Sequence, residues 1–119
     1  MTLQEIFVLN NILDGQDVYS LPFLSKLNMT QPIYDTAKDM LIDRGLLINY
    51  DEFADEGILI AKRLMSFKNA KKYIEILNLS IGVIDNKQAV MIRWNDDNDY
   101  NITLIDMKDA AAQLLGVLG

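Results

Sequence analysis

Cysteine and histidine are both missing from this 119-residue chain. Without cysteine there is neither a disulfide nor a thiolate metal site. Without histidine there is no imidazole to serve as general base, to ligate a transition metal or to activate a nucleophile. Proline is scarce, at two residues, and no apolar run approaches the roughly 18 residues that a membrane-spanning helix needs. Positive charge is also short: 11 Lys and Arg stand against 17 Asp and Glu, giving a net charge of −6. That sign repels phosphate backbones and anionic lipid surfaces. Carboxylate or lysine chemistry is left open, but no motif singles it out. The chain reads as non-catalytic, with no cofactor and no metal.

What is present is enough for an ordinary core. Half the residues are hydrophobic, and the length suits one domain spanning residues 1–119. Met1-Thr2-Leu3-Gln4-Glu5 lacks the basic region of an export signal, and its apolar residues are helically spaced. The expected location is cytoplasmic.

The first helix starts at Thr2-x-x-Glu5, the spacing of a capping box. Leu3, Ile6, Phe7, Asn10 and Leu13 follow at helical intervals, and Asp14-Gly15 ends the run. From Gln16 to Met29 the chain is irregular but keeps Val18, Tyr19, Leu21, Phe23, Leu24 and Leu27, a loop apolar enough to pack on the core; Pro22 holds Leu21 extended. A second helix opens at Thr30-Gln31-Pro32, with Ile33, Ala37, Met40 and Leu41 as one stripe and Asp35, Lys38 and Asp39 outward. Gly45 is placed for a left-handed C-cap. A third helix is expected within Asp51 to Phe67, acidic at its start and basic at its end. Gly57 interrupts its first turn.

Periodicity then becomes two. Tyr73, Leu77, Leu79, Ile81 and Val83 share one parity, with Ile74 and Ile76 on the other face, so the run reads as one long or bent strand with Gly82 as the candidate bulge. Asp85-Asn86-Lys87 is a hairpin turn. Val90, Ile92 and Trp94 mark the next strand, Asn95 to Asp99 the next turn, and Tyr100, Ile102 and Leu104 the last strand. A closing helix begins near Asp106, its N-cap, with Ala110, Ala111, Leu114 and Leu115 on one face. The predicted fold class is therefore α+β: three N-terminal helices, an antiparallel three-stranded β-meander and a C-terminal helix.

Asn95, Asp97 and Asp99 have the spacing of a calcium loop, with Asp106 at the twelfth position. Tyr100, however, stands where that loop needs glycine, and the later ligand positions read as strand. A solvated hairpin tip is the better reading. Trp94 and Tyr100 flank this turn. They can anchor a protein partner or sit on the core face with Val90, Ile92, Ile102 and Leu104, and parity favours the latter. Met91 is the methionine placed to reach an adaptable binding surface. Lys68, Lys71 and Lys72 bracket the entry to the first strand, as edge protection does. Helix–helix–strand–strand order also fits a winged helix. Its reading helix would carry Lys38 and Arg44 against Asp35, Asp39 and Asp43, the wrong sign for DNA.

Three stretches resemble the EspG-like proteins of type VII (ESX) secretion systems, cytosolic chaperones of helical-hairpin substrates. Thr2-Leu3-x-Glu5 with Val18-Tyr19-Ser20-Leu21-Pro22 is similar to the family's opening helix and Leu-Pro loop. Met40-Leu41-Ile42-Asp43-Arg44-Gly45-Leu46-Leu47 is similar to its helix end followed by Arg-Gly-Leu. The meander closed by Ala110-Ala111-Ala112-Gln113-Leu114-Leu115-Gly116 looks like the end of the family's first half. Charged turns stand where the family often has alanine and arginine, as in a Firmicutes-type relative. Family members comprise two similar halves, and this chain looks like the N-terminal half only.

The resemblance implies a non-catalytic chaperone or adaptor that binds a helical secretion substrate. In the family, the turn between the second and third meander strands contacts substrate. By position that is Asn95, Asp96, Asp97 and Asp99, flanked by Trp94 and Tyr100. Two alternatives stand beside it: a winged-helix-type transcription regulator, and a dimeric accessory or immunity protein with another protein partner. The unpaired sheet edges predict a homodimer.

Overall fold

The computed structural model describes all residues except 17, 20, 22–26, 50–51 and 119. The fold is α+β. Two compact units divide the chain, Met1–Lys62 and Arg63–Gly119.

In the first unit, α1 (Leu3–Leu13) starts in the capping box that its sequence predicts. Thr2 Oγ1 accepts from the Glu5 amide at 3.1 Å, and Glu5 Oε1 accepts from the Thr2 amide at 2.9 Å. Gly15 follows at φ 67. The second helix, α2 (Gln31–Asp43), carries Pro32 in its first turn and is followed by Gly45 at φ 76, where glycine avoids the left-handed penalty. The two helices form an antiparallel pair. Asn11 Nδ2 donates to the Tyr34 hydroxyl at one end (3.1 Å), and Arg44 Nε lies 3.1 Å from Glu5 Oε2 at the other. Between these ties Val8, Leu9, Ala37, Leu41 and Leu47 form the core.

Two sequence expectations change here. Lys38 does not face outward: it is 8% exposed, with its ammonium 5.0 Å from the Tyr34 ring centroid. The third helix also starts later than expected. Glu52–Phe53 is a strand, β2, paired antiparallel with β1 (Leu47–Asn49), and α3 runs from Asp55 to Lys68. Asp51, Pro22, Phe23 and Leu24 lie outside the described residues. Of the apolar loop that is described, Val18 and Leu21 are buried and Tyr19 is exposed.

The second unit holds an antiparallel meander of four strands, not three: β3 (Lys72–Ile76), β4 (Leu79–Val83), β5 (Gln88–Asn95) and β6 (Asp99–Asp106), in that order. The expected single long strand is a hairpin whose two-residue connection is Leu77-Asn78, with Ile76 paired to Leu79. The turn reverses parity. Tyr73 therefore shares a face with Gly82 and Val90, while Ile74 joins Ile81 and Met91 on the other. Gly82 is not a bulge, since register runs unbroken through it. A Cβ there would lie 2.9 Å from the Phe67 ring and 3.0 Å from Ala70, so glycine admits the end of α3 onto this face.

The opposite face is covered by α4 (Met107–Leu118), whose Ala110 packs with Leu79, Ile81, Ala89 and Met91. Asp106 Oδ1 accepts from the Asp109 amide at 2.8 Å and so caps the helix, as expected. Of the four residues assigned to its inner face, Ala110 and Leu114 pack inward, whereas Ala111 is exposed and Leu115 is 70% exposed. No helix among the described residues is long and apolar enough to cross a membrane.

Candidate binding surfaces

The β5–β6 hairpin brings the predicted site residues together, except one. Asn95 pairs with Asp99 across a three-residue connection, and Asn98 adopts φ 56, a conformation that asparagine tolerates. Asn95 Oδ1 accepts from the Asp97 amide at 2.9 Å, closing the turn on itself. The carboxylates Asp96, Asp97 and Asp99 are exposed at the tip. Just behind them Trp94 and Tyr100 are direct cross-strand partners. Their rings are stacked, with centroids 6.1 Å apart and planes at 24°. Both are half-buried, on the same face as the buried Val90, Ile92 and Ile102. Leu104 shares that face but is 43% exposed.

Met91 is the exception. It lies on the other face, 8% exposed beneath α4, and is core rather than surface. Its parity differs from that of Trp94 by three positions, which places the two on opposite sides of one strand. The calcium-loop geometry is also not formed. Asp99–Asp106 is extended strand, and the described residues contain no group of three or more His, Cys, Asp or Glu that could hold a metal ion.

The neighbouring β4–β5 connection is held by Asp85, whose Oδ1 accepts from the amides of Lys87 (2.8 Å) and Gln88 (2.9 Å). These bonds, the Lys87 amide foremost, hold its carboxyl below the ordinary 3.8. The charges of Lys71 and Lys87 add a smaller pull in the same direction.

A second surface lies in the first unit, and the sequence reading passed over it. Thr2, which caps α1, and Gln4 of α1 line a mainly apolar groove of about 410 Å³ together with Pro32, Ile33, Thr36, Ala37 and Met40 of α2. Ile33 is 40% exposed. The stripe Ile33, Ala37, Met40 and Leu41 is thus wider than one helix contact can cover: Ala37 and Leu41 enter the core, and Ile33 and Met40 line the groove. That excess width was the available signal.

Charge is divided unevenly between the two units. Residues 1–62 hold ten acidic against four basic side chains, while residues 63–119 hold seven of each. The whole surplus of −6 therefore belongs to the first unit.

A family model described as a domain of unknown function (DUF5081) matches residues 1–118, and the chain belongs to that family. No curated protein and no solved structure matches it.

Proposed function

We propose that this member of the DUF5081 family is a non-catalytic adaptor that binds a helical protein partner. The partner is a helical-hairpin substrate of type VII secretion, held in the cytoplasm before export in the manner of EspG-like chaperones. The observation that carries the reading is the stacked Trp94–Tyr100 pair, half-buried behind an acidic hairpin tip. Large aromatics in this setting contribute most of the binding energy at protein interfaces, because they bury much area at little rotamer cost. The lack of histidine and cysteine supports the reading only in that it removes imidazole and thiolate chemistry.

Co-purification with type VII substrates tests the proposal. The wild-type chain retains the substrate, and Trp94→Ala with Tyr100→Ala releases it while the circular dichroism spectrum is kept. Recovering no substrate under conditions where EspG-like chaperones succeed would overturn it.

A winged-helix regulator is the second reading, and the row Asp35, Asp39 and Asp43 on α2 weighs against it. A mobility-shift assay at low salt separates the two, since DNA binding of any kind appears there if the surface permits it. The third reading, a dimeric accessory or immunity protein, draws on β3 and β6 being the outer strands of the four-stranded sheet. Light scattering combined with a pull-down from the host distinguishes it.

A further inference from the structure

We infer that the groove between α1 and α2 is a docking site for a basic amphipathic helix. This surface lies wholly in the first unit and is separate from the Trp94–Tyr100 tip, so either assignment can fail alone.

Shape comes first. The α2 wall runs from Pro32 to Met40, which is about 12 Å along a helix axis. That is slightly over two turns of a partner helix, enough to seat apolar side chains at i, i+3 or i+4, and i+7. The lining is mainly apolar, with Ile33, Ala37 and Met40, and Thr2, Gln4 and Thr36 complete it. The Thr36 hydroxyl donates to the Pro32 carbonyl at 2.8 Å and is therefore already partnered within α2.

Charge then selects the partner. Asp35, Asp39 and Asp43 recur at i, i+4 and i+8 along α2, and each is three residues on from a lining residue (Pro32, Thr36 and Met40). Residues three apart on a helix are surface neighbours, so the carboxylates form a rim beside the groove. Among the charged groups of this helix pair, Lys38 lies over the Tyr34 ring, Arg44 pairs with Glu5, and Asp35 Oδ1 accepts from Gln31 Nε2 at 2.8 Å. The rim lies in the unit that carries the chain's entire net negative charge. A partner helix whose lysines or arginines recur every four residues beside its apolar stripe complements both features. An acidic helix, a nucleic acid or an anionic lipid surface meets repulsion.

The test uses the full chain and designed helical peptides of about 18 residues, long enough to hold helix. One has a leucine stripe flanked by lysines, a second has glutamates in place of the lysines, and a third has the first composition scrambled. By fluorescence anisotropy the first binds, and the other two are at least tenfold weaker. Ile33→Asp is the decisive variant because it adds negative charge. It weakens the first peptide at least tenfold if the groove is the seat, and strengthens it if attraction is only electrostatic. Thr36→Arg, at an exposed position, gives a second loss without disturbing the core. Asp35→Asn with Asp39→Asn and Asp43→Asn lowers affinity and flattens the salt dependence. Leu115→Ala, at an exposed position of the second unit, leaves binding unchanged. The inference falls if the lysine peptide does not bind, if the scrambled peptide binds equally, if Ile33→Asp fails to weaken binding, or if the groove variants instead convert a dimer of this chain to monomer.

Discussion

The carbonyl oxygen of Leu46 occupies the space that a side chain at Gly57 would need: a Cβ there would lie 1.9 Å from it. In an exposed helix, Gly→Ala stabilises by about 1 kcal/mol. Here the sign reverses, because the clash is with backbone and α3 must shift away from the preceding chain. Gly57→Ala is expected to cost at least about 2 kcal/mol in urea denaturation. A variant as stable as wild type would contradict this close approach.

Gly82 obeys the same logic against a softer neighbour. The Phe67 ring fully buries itself over this position. Gly82→Ala is expected to cost about 1–3 kcal/mol, as overpacking does. Phe67→Leu in the same chain returns part of that loss, and a double-mutant cycle measures the coupling. Strictly additive effects would show that the two residues do not meet.

Glu5 is fully buried. One carboxylate oxygen is held by the Thr2 amide, and the other lies 3.1 Å from Arg44 Nε without hydrogen-bond alignment. Arg44 is 46% exposed, so solvent screens the pair. Arg44→Met is expected to cost about 1–2 kcal/mol, less than for a fully enclosed ion pair, because it leaves a buried charge without its counter-ion. Glu5→Gln in the Arg44→Met background then destabilises less than it does alone. Chemical denaturation of the four chains decides the point.

Leu77 takes φ 51 at the β3–β4 turn and is 78% exposed. A left-handed conformation costs a non-glycine residue about 1–2 kcal/mol, and asparagine bears it best. Leu77→Asn is expected to stabilise the chain by about 0.5–1 kcal/mol. A lower melting temperature would mean that the leucine makes a contact outweighing its strain.

Asp85 gives a pH dependence of known sign. Its folded carboxyl titrates below 3.8, so the stability it adds is fully present above that value and is lost as pH falls from there through the depressed folded value. The amide resonances of Lys87 and Gln88 are expected to shift in that acidic window, and Asp85→Asn abolishes the transition. Amide shifts with a midpoint at or above 3.8 would contradict the assignment.

Features set by neighbouring residues were legible in the sequence. The Thr2–Glu5 capping box, the left-handed Gly45, the Asp85 turn and the Asp106 cap each depend on a few adjacent side chains, and all four form. Features set by tertiary contact were not. Leu77-Asn78 carries no glycine or proline to announce a turn, so two strands read as one and Tyr73 was assigned to the wrong face. The β1–β2 hairpin is too short to show alternation, and acidic Glu52 imitated a helix start. Of the candidate site, the pairing of Trp94 with Tyr100 followed from strand parity. The burial of Met91 depends on α4 returning over the sheet. The groove needed knowledge of how much of α2 its neighbour covers.

The uneven division of charge has an electrolytic consequence. Only one of the two units carries a net charge for dissolved ions to screen. Screening eases a net repulsion within residues 1–62, whereas within residues 63–119 it weakens attractions and repulsions alike. To a polycation, residues 1–62 present a net attraction, and residues 63–119 attract only locally, at the carboxylates of the β5–β6 turn.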